Sequence, residues 1–194
     1  GLNRLDPNTG KAVHYRHDPA DPSSLSEDAQ FFPYVAENGD LWVTTFSTGL
    51  NRMRKGEDGV FTRFQYDPND PKTVTSDELY YVGEDAEGNI YVGSRNGLNR
   101  IDPETNEVRR YLYDPKQNPT YGEPLNTFMP YYDEGNPGFI WLSTGNGLVR
   151  LNLETGDYER FLIEPNTNGV NPMNFIHEVR PDPTDANILW VGGP

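Results

Sequence analysis

The 194-residue chain contains no cysteine. That excludes disulfides, thiolate metal sites and a cysteine nucleophile, and it leaves the redox compartment open. Basic residues are scarce: 16 Lys and Arg stand against 30 Asp and Glu, for a net charge of -14. This argues against nucleic acid or an anionic membrane surface as a partner, because both are recognised through clustered Lys and Arg. The acidic surplus reads as a well-solvated surface. There is no transmembrane run, signal peptide or lipidation signal. The chain lacks an initiating Met and starts on a repeat boundary, so it is expected to be a piece of a longer protein whose targeting signals lie outside it. No segment holds a sustained 3.6-residue apolar period with caps, and little helix is expected. Hydrophobic residues make up only 34%, yet Tyr (12), Phe (9) and Trp (3) are well represented. Disordered chains are poor in aromatics, so the composition reads as a folded chain with long polar loops.

What is present is a repeat. Gly-Leu-Asn-Arg begins at Gly1, Gly49 and Gly97, and Gly-Leu-Val-Arg begins at Gly147. A second marker keeps the same spacing of about 48 residues: Leu41-Trp42, Ile90-Tyr91, Ile140-Trp141 and Leu189-Trp190. Two markers in one period define a repeat architecture, read here as a single domain with repeats 1–48, 49–96, 97–146 and 147–194. Within one period, residues 50–54, 60–66, 79–83 and 90–93 are short runs rich in Val, Ile, Tyr and Phe. Gly, Asn, Asp and Pro bound them, which is strand chemistry. Asn38-Gly39 and Glu87-Gly88 suit tight hairpins. Asp-Pro loops at 18–22 and 67–71, and divergent loops at 114–124 and 164–172, separate the strand sets. Four strands in about 48 residues predict an all-β fold, a β-propeller of four blade equivalents. Stacked blades bury both faces of their inner strands, which accounts for the unbroken apolar runs at 41–43 and 90–92. Trp42, Tyr91, Trp141 and Trp190 are expected in equivalent positions between blades.

The run from Val82 to Asp85, Gly88, Ile90 to Gly93, Gly97 to Arg100 and Asp102-Pro103 resembles the two-component regulator propeller repeat. The resemblance covers essentially the whole chain. Departures occur at Asn136-Pro137-Gly138, at 181–187, and in the loops at 114–124 and 164–172. The resemblance implies the periplasmic or extracellular sensor propeller of a hybrid histidine kinase, usually a ring of about seven blades. It implies a small-molecule or glycan ligand and, as partners, further blades and a kinase region outside this chain. In the family's blade order this chain supplies two outer strands, three complete blades and two inner strands. That pattern fits either a closed four-bladed ring or an arc of a larger one. A homodimer is a further partner to consider.

The motif arginines Arg4, Arg52, Arg100 and Arg150 recur at one blade position, which reads as structural bridging between blades. Asp18, Asp21, Asp67 and Asp70 read as Asx turns rather than as a calcium loop. Glu84 and Asp85 are strand neighbours that point to opposite faces and cannot flank one bond. His14 and His17 have a poor metal spacing for a strand. No nucleophile elbow, P-loop or zinc motif is present. The expectation is a binding module rather than an enzyme, with no metal and no cofactor. A propeller lyase or glycan-active enzyme, which would rest on His177 near the axis, and a protein-interaction scaffold are the alternatives.

Recognition residues are expected where the repeat varies. In a propeller, the entries to the innermost strands and the turns after the second strands share one face. Here these are Gln30, Asp77, Asn126 and Asn174 in the first set and Phe46, Arg95 and Asn146 in the second, with His177 near the axis. Phe46, Arg95 and Gly145 differ at aligned sites, as residues placed for recognition do.

Overall fold

The computed structural model describes residues 1–114, 126–133, 135–162, 174–185 and 187–193. Apart from Asp114, the divergent loops at 114–124 and 164–172 lie outside the described residues. Sixteen strands are found, and no α-helix occurs among the described residues. The chain opens with a two-stranded sheet, β1 (Leu2–Leu5) and β2 (Ala12–Tyr15). Three four-stranded antiparallel sheets follow. The first is β3 (Gln30–Val35), β4 (Leu41–Thr45), β5 (Leu50–Met53) and β6 (Phe61–Phe64). The second is β7 (Leu79–Glu84), β8 (Ile90–Ser94), β9 (Gly97–Ile101) and β10 (Val108–Tyr111). The third is β11 (Thr127–Tyr132), β12 (Phe139–Thr144), β13 (Gly147–Asn152) and β14 (Tyr158–Phe161). The hairpin β15 (Glu178–Pro181) and β16 (Leu189–Gly192) ends the fold.

The first strands β3, β7, β11 and β15 pack on one another in turn, which places them innermost. This is the propeller arrangement, three blades flanked by two half-blades. Among the described residues no pairing joins β16 to β1, so the sheets form an arc rather than a closed ring.

The Gly-Leu-Asn-Arg motif now has a cause at each position. Gly49 has a positive φ, and a Cβ there would lie 2.2 Å from the carbonyl oxygen of Phe64 on the outer strand. Only glycine fits such a site. Leu50 and Leu98 are fully buried. Asn51 is buried and accepts from the Ser26 amide at 2.9 Å, so it clamps the long loop that leads to β3. Asn99 does the same with the Thr75 amide at 2.8 Å. Arg52 reaches into the next blade, donating to Asn106 Oδ1 at 2.8 Å and to the Pro103 carbonyl. Arg4 pairs with Asp58 of its neighbouring blade at 3.0 Å. Arg150 instead stacks within its own blade, 4.1 Å over the Phe139 ring. Bridging thus holds for Arg4 and Arg52.

Trp42 and Tyr91 are buried between blades and Trp141 is half-buried, but Trp190 is 64% exposed. The expectation that Trp190 is packed is corrected: among the described residues β16 has no third strand beside it and no blade over it.

The long loops are set by their own carboxylates. Asp18 Oδ1 accepts from the Ala20 amide, Asp21 Oδ1 from Ser23, Asp67 Oδ1 from Asn69 and Asp70 Oδ1 from Lys72, all at 2.8–2.9 Å. These are Asx turns. Arg110 of β10 then gathers the loop carbonyls, donating to Asp70 O at 2.8 Å and Val74 O at 3.1 Å. Arg63 of β6 does so for Ser24 O at 2.8 Å and Leu25 O at 3.2 Å.

Turn carboxylates held this way sit below their usual pKa. The Ser23 hydroxyl and amide lower Asp21, the Thr9 hydroxyl lowers Asp6, and the Thr105 and Glu104 amides lower Asp102. Asp182 is lowered to about 2, chiefly by Thr184. Depressed folded-state values mean that the stabilisation is present above the unfolded carboxylate pKa of about 4 and is lost as pH falls through the folded values. Relief of the -14 charge acts the other way between neutrality and the pI of about 4.5. Melting temperatures followed by circular dichroism should therefore peak near pH 5 (roughly) and fall steeply below about pH 4. A melting temperature at pH 3 equal to that at pH 7 would count against these turns as stabilising elements.

Candidate functional site

The second-strand turns and the entries to the inner strands meet at one end of the blades. The Gly49 amide donates to Asp77 O at 2.9 Å, the Arg95 amide to Glu78 O at 3.1 Å, and the Gly145 amide to Asn126 O at 3.1 Å. These bonds tie each turn to a strand entry and hold the face in register.

Each complete inner strand carries a register shift near its start, between Gln30 and Phe32, Leu79 and Val82, and Thr127 and Pro130. A bulge adds one residue and re-aims its neighbours. Here it places an aromatic row across the blades. Phe46 meets Phe31 edge-on at 5.2 Å, Phe31 meets Tyr80 at 5.7 Å, and Tyr80 meets Phe128 at 4.9 Å. Phe128 continues to Phe175 at 5.0 Å and to His177 at 5.3 Å. Tyr80, Phe128 and Phe175 are buried, Phe31 is half-buried, and the two ends, Phe46 at 53% and His177, are exposed.

A polar edge joins the row at Tyr80. Its hydroxyl donates to Glu78 Oε1 at 2.8 Å, and Arg95 Nη1 bonds Glu78 Oε2 at 3.0 Å. Phe46, Phe31, Tyr80, Glu78 and Arg95 thus form one continuous patch spanning two blades. The turn that carries Phe46 is anchored: the Ser47 amide and hydroxyl donate to the Glu27 carboxylate at 2.8 and 2.9 Å. Burial alone raises the Glu27 pKa; the Ser47 bonds outweigh it and leave the carboxyl low. An exposed apolar ring on an anchored turn, beside a guanidinium fork and a carboxylate, can hold a molecule with one apolar face and several polar groups.

The structure separates the sequence candidates. Phe46 and Arg95 fall on this patch. Asn126, Asn146 and Asn174 are buried rather than presented. Oδ1 of Asn126 and Oε1 of Gln30 are buried with no hydrogen-bond partner among the described residues. Asp77 caps the strand end, accepting from the Tyr66 amide at 2.8 Å. His177 is exposed, with its ring against Phe128 and Phe175. Among the described residues no group of three His, Asp or Glu side chains could hold a metal. His14 and His17 serve local contacts, to Asn3 Oδ1 and to Leu25 O. Glu84 accepts from the Tyr34 hydroxyl and the Glu37 amide, while Asp85 is bound by Asn89 and Tyr91, so the two carboxylates have separate structural partners. Burial and Glu84 push the Tyr34 phenol up to about 12. Glu78, Phe31 and Tyr80 were not singled out from sequence. The available signal was the aromatic residue second in each complete inner strand, Phe31, Tyr80 and Phe128, doubled as Phe31-Phe32 and Tyr80-Tyr81 in the first two.

No family model matches the chain. No curated protein matches it either. Solved structures do. The extracellular domain of BT3049 from B. thetaiotaomicron, named as a hybrid two component system, superposes with a TM-score of 0.76 at 19% identity, over 100% of this chain and 25% of that one. That of BT4673, from the same organism, gives 0.52 at 16% identity, over 98% of this chain and 30% of that one. A catalytically inactive virginiamycin B lyase from Staphylococcus aureus, with quinupristin, gives 0.65 at 18% identity, over 97% of this chain and 55% of that one. At these identities the likeness establishes the propeller-like fold. The chain spans about a quarter of the BT3049 domain.

Proposed function

We propose that the chain is part of the ligand-sensing propeller of a hybrid two-component system, outside the cytoplasm, and that it binds a small molecule or oligosaccharide. The kinase that would read out occupancy is not in this chain. The observation that carries the reading is the patch joining Phe46 to Arg95. It is anchored by backbone bonds, exposed at its apolar end, and carries Phe46 and Arg95, which differ between repeats. The likeness to two extracellular domains named for hybrid two-component systems supports the sensor class. Among the described residues no helix is long and apolar enough to cross a membrane.

Fold alone does not assign function, and propellers also serve as enzymes. The lyase likeness keeps that second reading specific. It would rest on His177, whose ring is held by Phe128 and Phe175. Turnover of glycans or lactones that His177→Ala abolishes would establish it.

The sensor reading is tested by calorimetry against a panel of neutral and acidic oligosaccharides. For a binder so found, Phe46→Ala and Arg95→Ala should each weaken affinity about tenfold or more, or about 1.4 kcal/mol. Glu104→Ala, in an outer turn, should leave it unchanged. Arg95 is exposed and Glu78 half-buried, and a partly exposed pair of this kind is worth about 0–1 kcal/mol to stability, so Arg95→Ala leaves the fold intact. Equal binding by all three variants would move the site elsewhere.

A further inference from the structure

The outer strands of the first two complete blades end alike. Tyr66 lies two residues beyond β6 and Tyr113 two residues beyond β10, and an aspartate follows each, Asp67 and Asp114. Both tyrosines are half-buried, and both extend complete four-stranded sheets, away from the two ends of the arc. Their hydroxyl oxygens share a hydrogen bond of 2.8 Å, with ring centroids 6.4 Å apart and ring planes inclined at 66°.

This pairing sets the two apart from the other tyrosines. The hydroxyls of Tyr15, Tyr34, Tyr80 and Tyr91 donate to the carboxylates of Asp58, Glu84, Glu78 and Asp85, and that of Tyr111 to the Leu153 carbonyl. Among the described residues no other phenol meets a second phenol. Nor does the repeat demand a phenol here. In the first half-blade His17 holds the position and bonds the Leu25 carbonyl.

Arg110 fixes both rings. Its guanidinium lies 5.6 Å from the Tyr66 ring centroid and 4.8 Å from that of Tyr113, and is itself held by Thr73 O at 2.6 Å and Asp70 O at 2.8 Å. The Tyr66 amide donates to Asp77 Oδ1 at 2.8 Å, which anchors the other partner's backbone. Burial, then the bond to Tyr66, raise the Tyr113 phenol, so it keeps its proton at neutral pH. A phenol oxidised in this state gives up its electron and its proton, and the unpaired electron spreads onto the ring carbons ortho to the oxygen. Each ortho carbon is one bond from the carbon that carries the oxygen. The short contact between oxygens therefore brings an ortho carbon of each ring close to the other, and the broad χ2 torsion of tyrosine lets them meet.

We propose that Tyr66 and Tyr113 are an oxidation site that closes to a dityrosine bond between adjacent blades. A one-electron oxidant, such as the ferryl haem of a peroxidase, takes one electron from each phenol, and both phenolic protons pass to solvent. The two radicals join through a new carbon–carbon bond between ortho carbons. The hydrogen on each of these carbons then leaves as a proton while each oxygen regains one, which restores both phenols. Two electrons and two protons are lost for the one bond formed. The chain has no cysteine, so no disulfide fills this role and no thiol competes for the oxidant. The bond joins residues 47 apart in sequence and links the two blades that share the patch from Phe46 to Arg95. A cross-link over such a span stabilises the fold by restricting the unfolded chain.

Photo-oxidation of the dilute folded chain with ruthenium tris-bipyridine and persulfate tests this. Dityrosine fluorescence should appear in a product that still runs at the 22.0 kDa chain mass. Peptide mapping should find Tyr66 joined to Tyr113 with the loss of two hydrogens, and the urea midpoint of the oxidised chain should rise. Tyr66→Phe and Tyr113→Phe each remove a single oxygen, and circular dichroism should show both variants folded. Each should lose most of the fluorescence, while Tyr158→Phe, at an exposed site on β14, should keep it. Three results would each overturn the proposal: no dityrosine within the folded chain, a map that places it at other tyrosines, or an equal yield from folded Tyr66→Phe.

Discussion

Replacing Arg52 with alanine should lower the melting temperature by roughly 6–20 °C. Arg52 is almost fully buried, and it holds the buried carboxylate of Asp40 through Nε at 2.9 Å and through a second, shorter bond from Nη2. It also spans to the next blade through Asn106 and the Pro103 carbonyl, and it lies under the Trp42 ring. Burial raises the pKa of Asp40, but the Lys55 amide and Arg52 outweigh it and keep the carboxyl below its usual range. Removing the guanidinium leaves a charge in the interior with part of its support gone and breaks a contact between blades. Loss of one partner of a buried pair costs about 3–5 kcal/mol. At roughly 2–4 °C per kcal/mol for a chain of this size, the shift follows. Arg52→Lys should rescue little, because a point charge cannot serve Asp40 and Asn106 together. The same motif position at Arg4 gives the control. Arg4 and Asp58 are more than half exposed, so Arg4→Ala should cost under about 1 kcal/mol. Equal losses at the two positions would show that the buried pair is not what sets the effect.

Gly93→Ala should be the second severe variant. A Cβ at Gly93 would fall 2.2 Å from Phe128 O and 2.6 Å from Thr127 O, both backbone atoms of the adjacent inner strand. Backbone held in a ladder cannot step aside as a flexible side chain would. Either the second and third sheets separate or the β11 bulge distorts, and the Ser94 amide bond to Thr127 Oγ1 at 3.2 Å suffers in both cases. Overpacking a fitted interior typically costs about 1–3 kcal/mol, and a clash with backbone belongs at the upper end, near 3. Thermal or urea unfolding of Gly93→Ala reads this directly; a loss below about 0.5 kcal/mol would mean that the sheets are not in close contact there. The equivalent positions are Thr44 and Ser143, which carry side chains. Their hydroxyls are used inside the blade: the Phe32 amide donates to Thr44 Oγ1 at 3.1 Å, and the Met129 amide to Ser143 Oγ at 2.8 Å. Ser143 also donates to the His177 carbonyl of the next inner strand at 2.9 Å. One blade interface is therefore tighter than its neighbour because it lacks a hydroxyl spacer.

The architecture was legible in the residues because its determinants are local and repeated. Gly49 and Gly97 mark turns that only glycine fits, and Leu50 and Leu98 mark the buried third strand. Asn38-Gly39 and Glu87-Gly88 close hairpins, and Asp-Pro pairs shape the loops. Each is set by φ, by hydrogen bonding over two or three residues, or by alternation along a strand. Repetition then multiplied a weak signal until strand number and order followed. The variability that pointed to Phe46 and Arg95 was legible for the same reason.

What the sequence could not carry was how the adjacent blade treats one member of a repeated position differently from another. Asn126, Asn146 and Asn174 look like presented amides, yet all three are buried. Trp42 and Trp190 occupy one repeat position, and only the presence or absence of a third strand and a following blade makes one buried and the other exposed. Glu78 and Tyr80 join Arg95 and Phe46 beside a register shift in β7, between Leu79 and Val82, and that shift is seen only in the pairing of β7 with β8. Local rules thus determined the blade. Burial, charge pairing and the shape of the patch depend on distances between blades, and tertiary packing alone decided those.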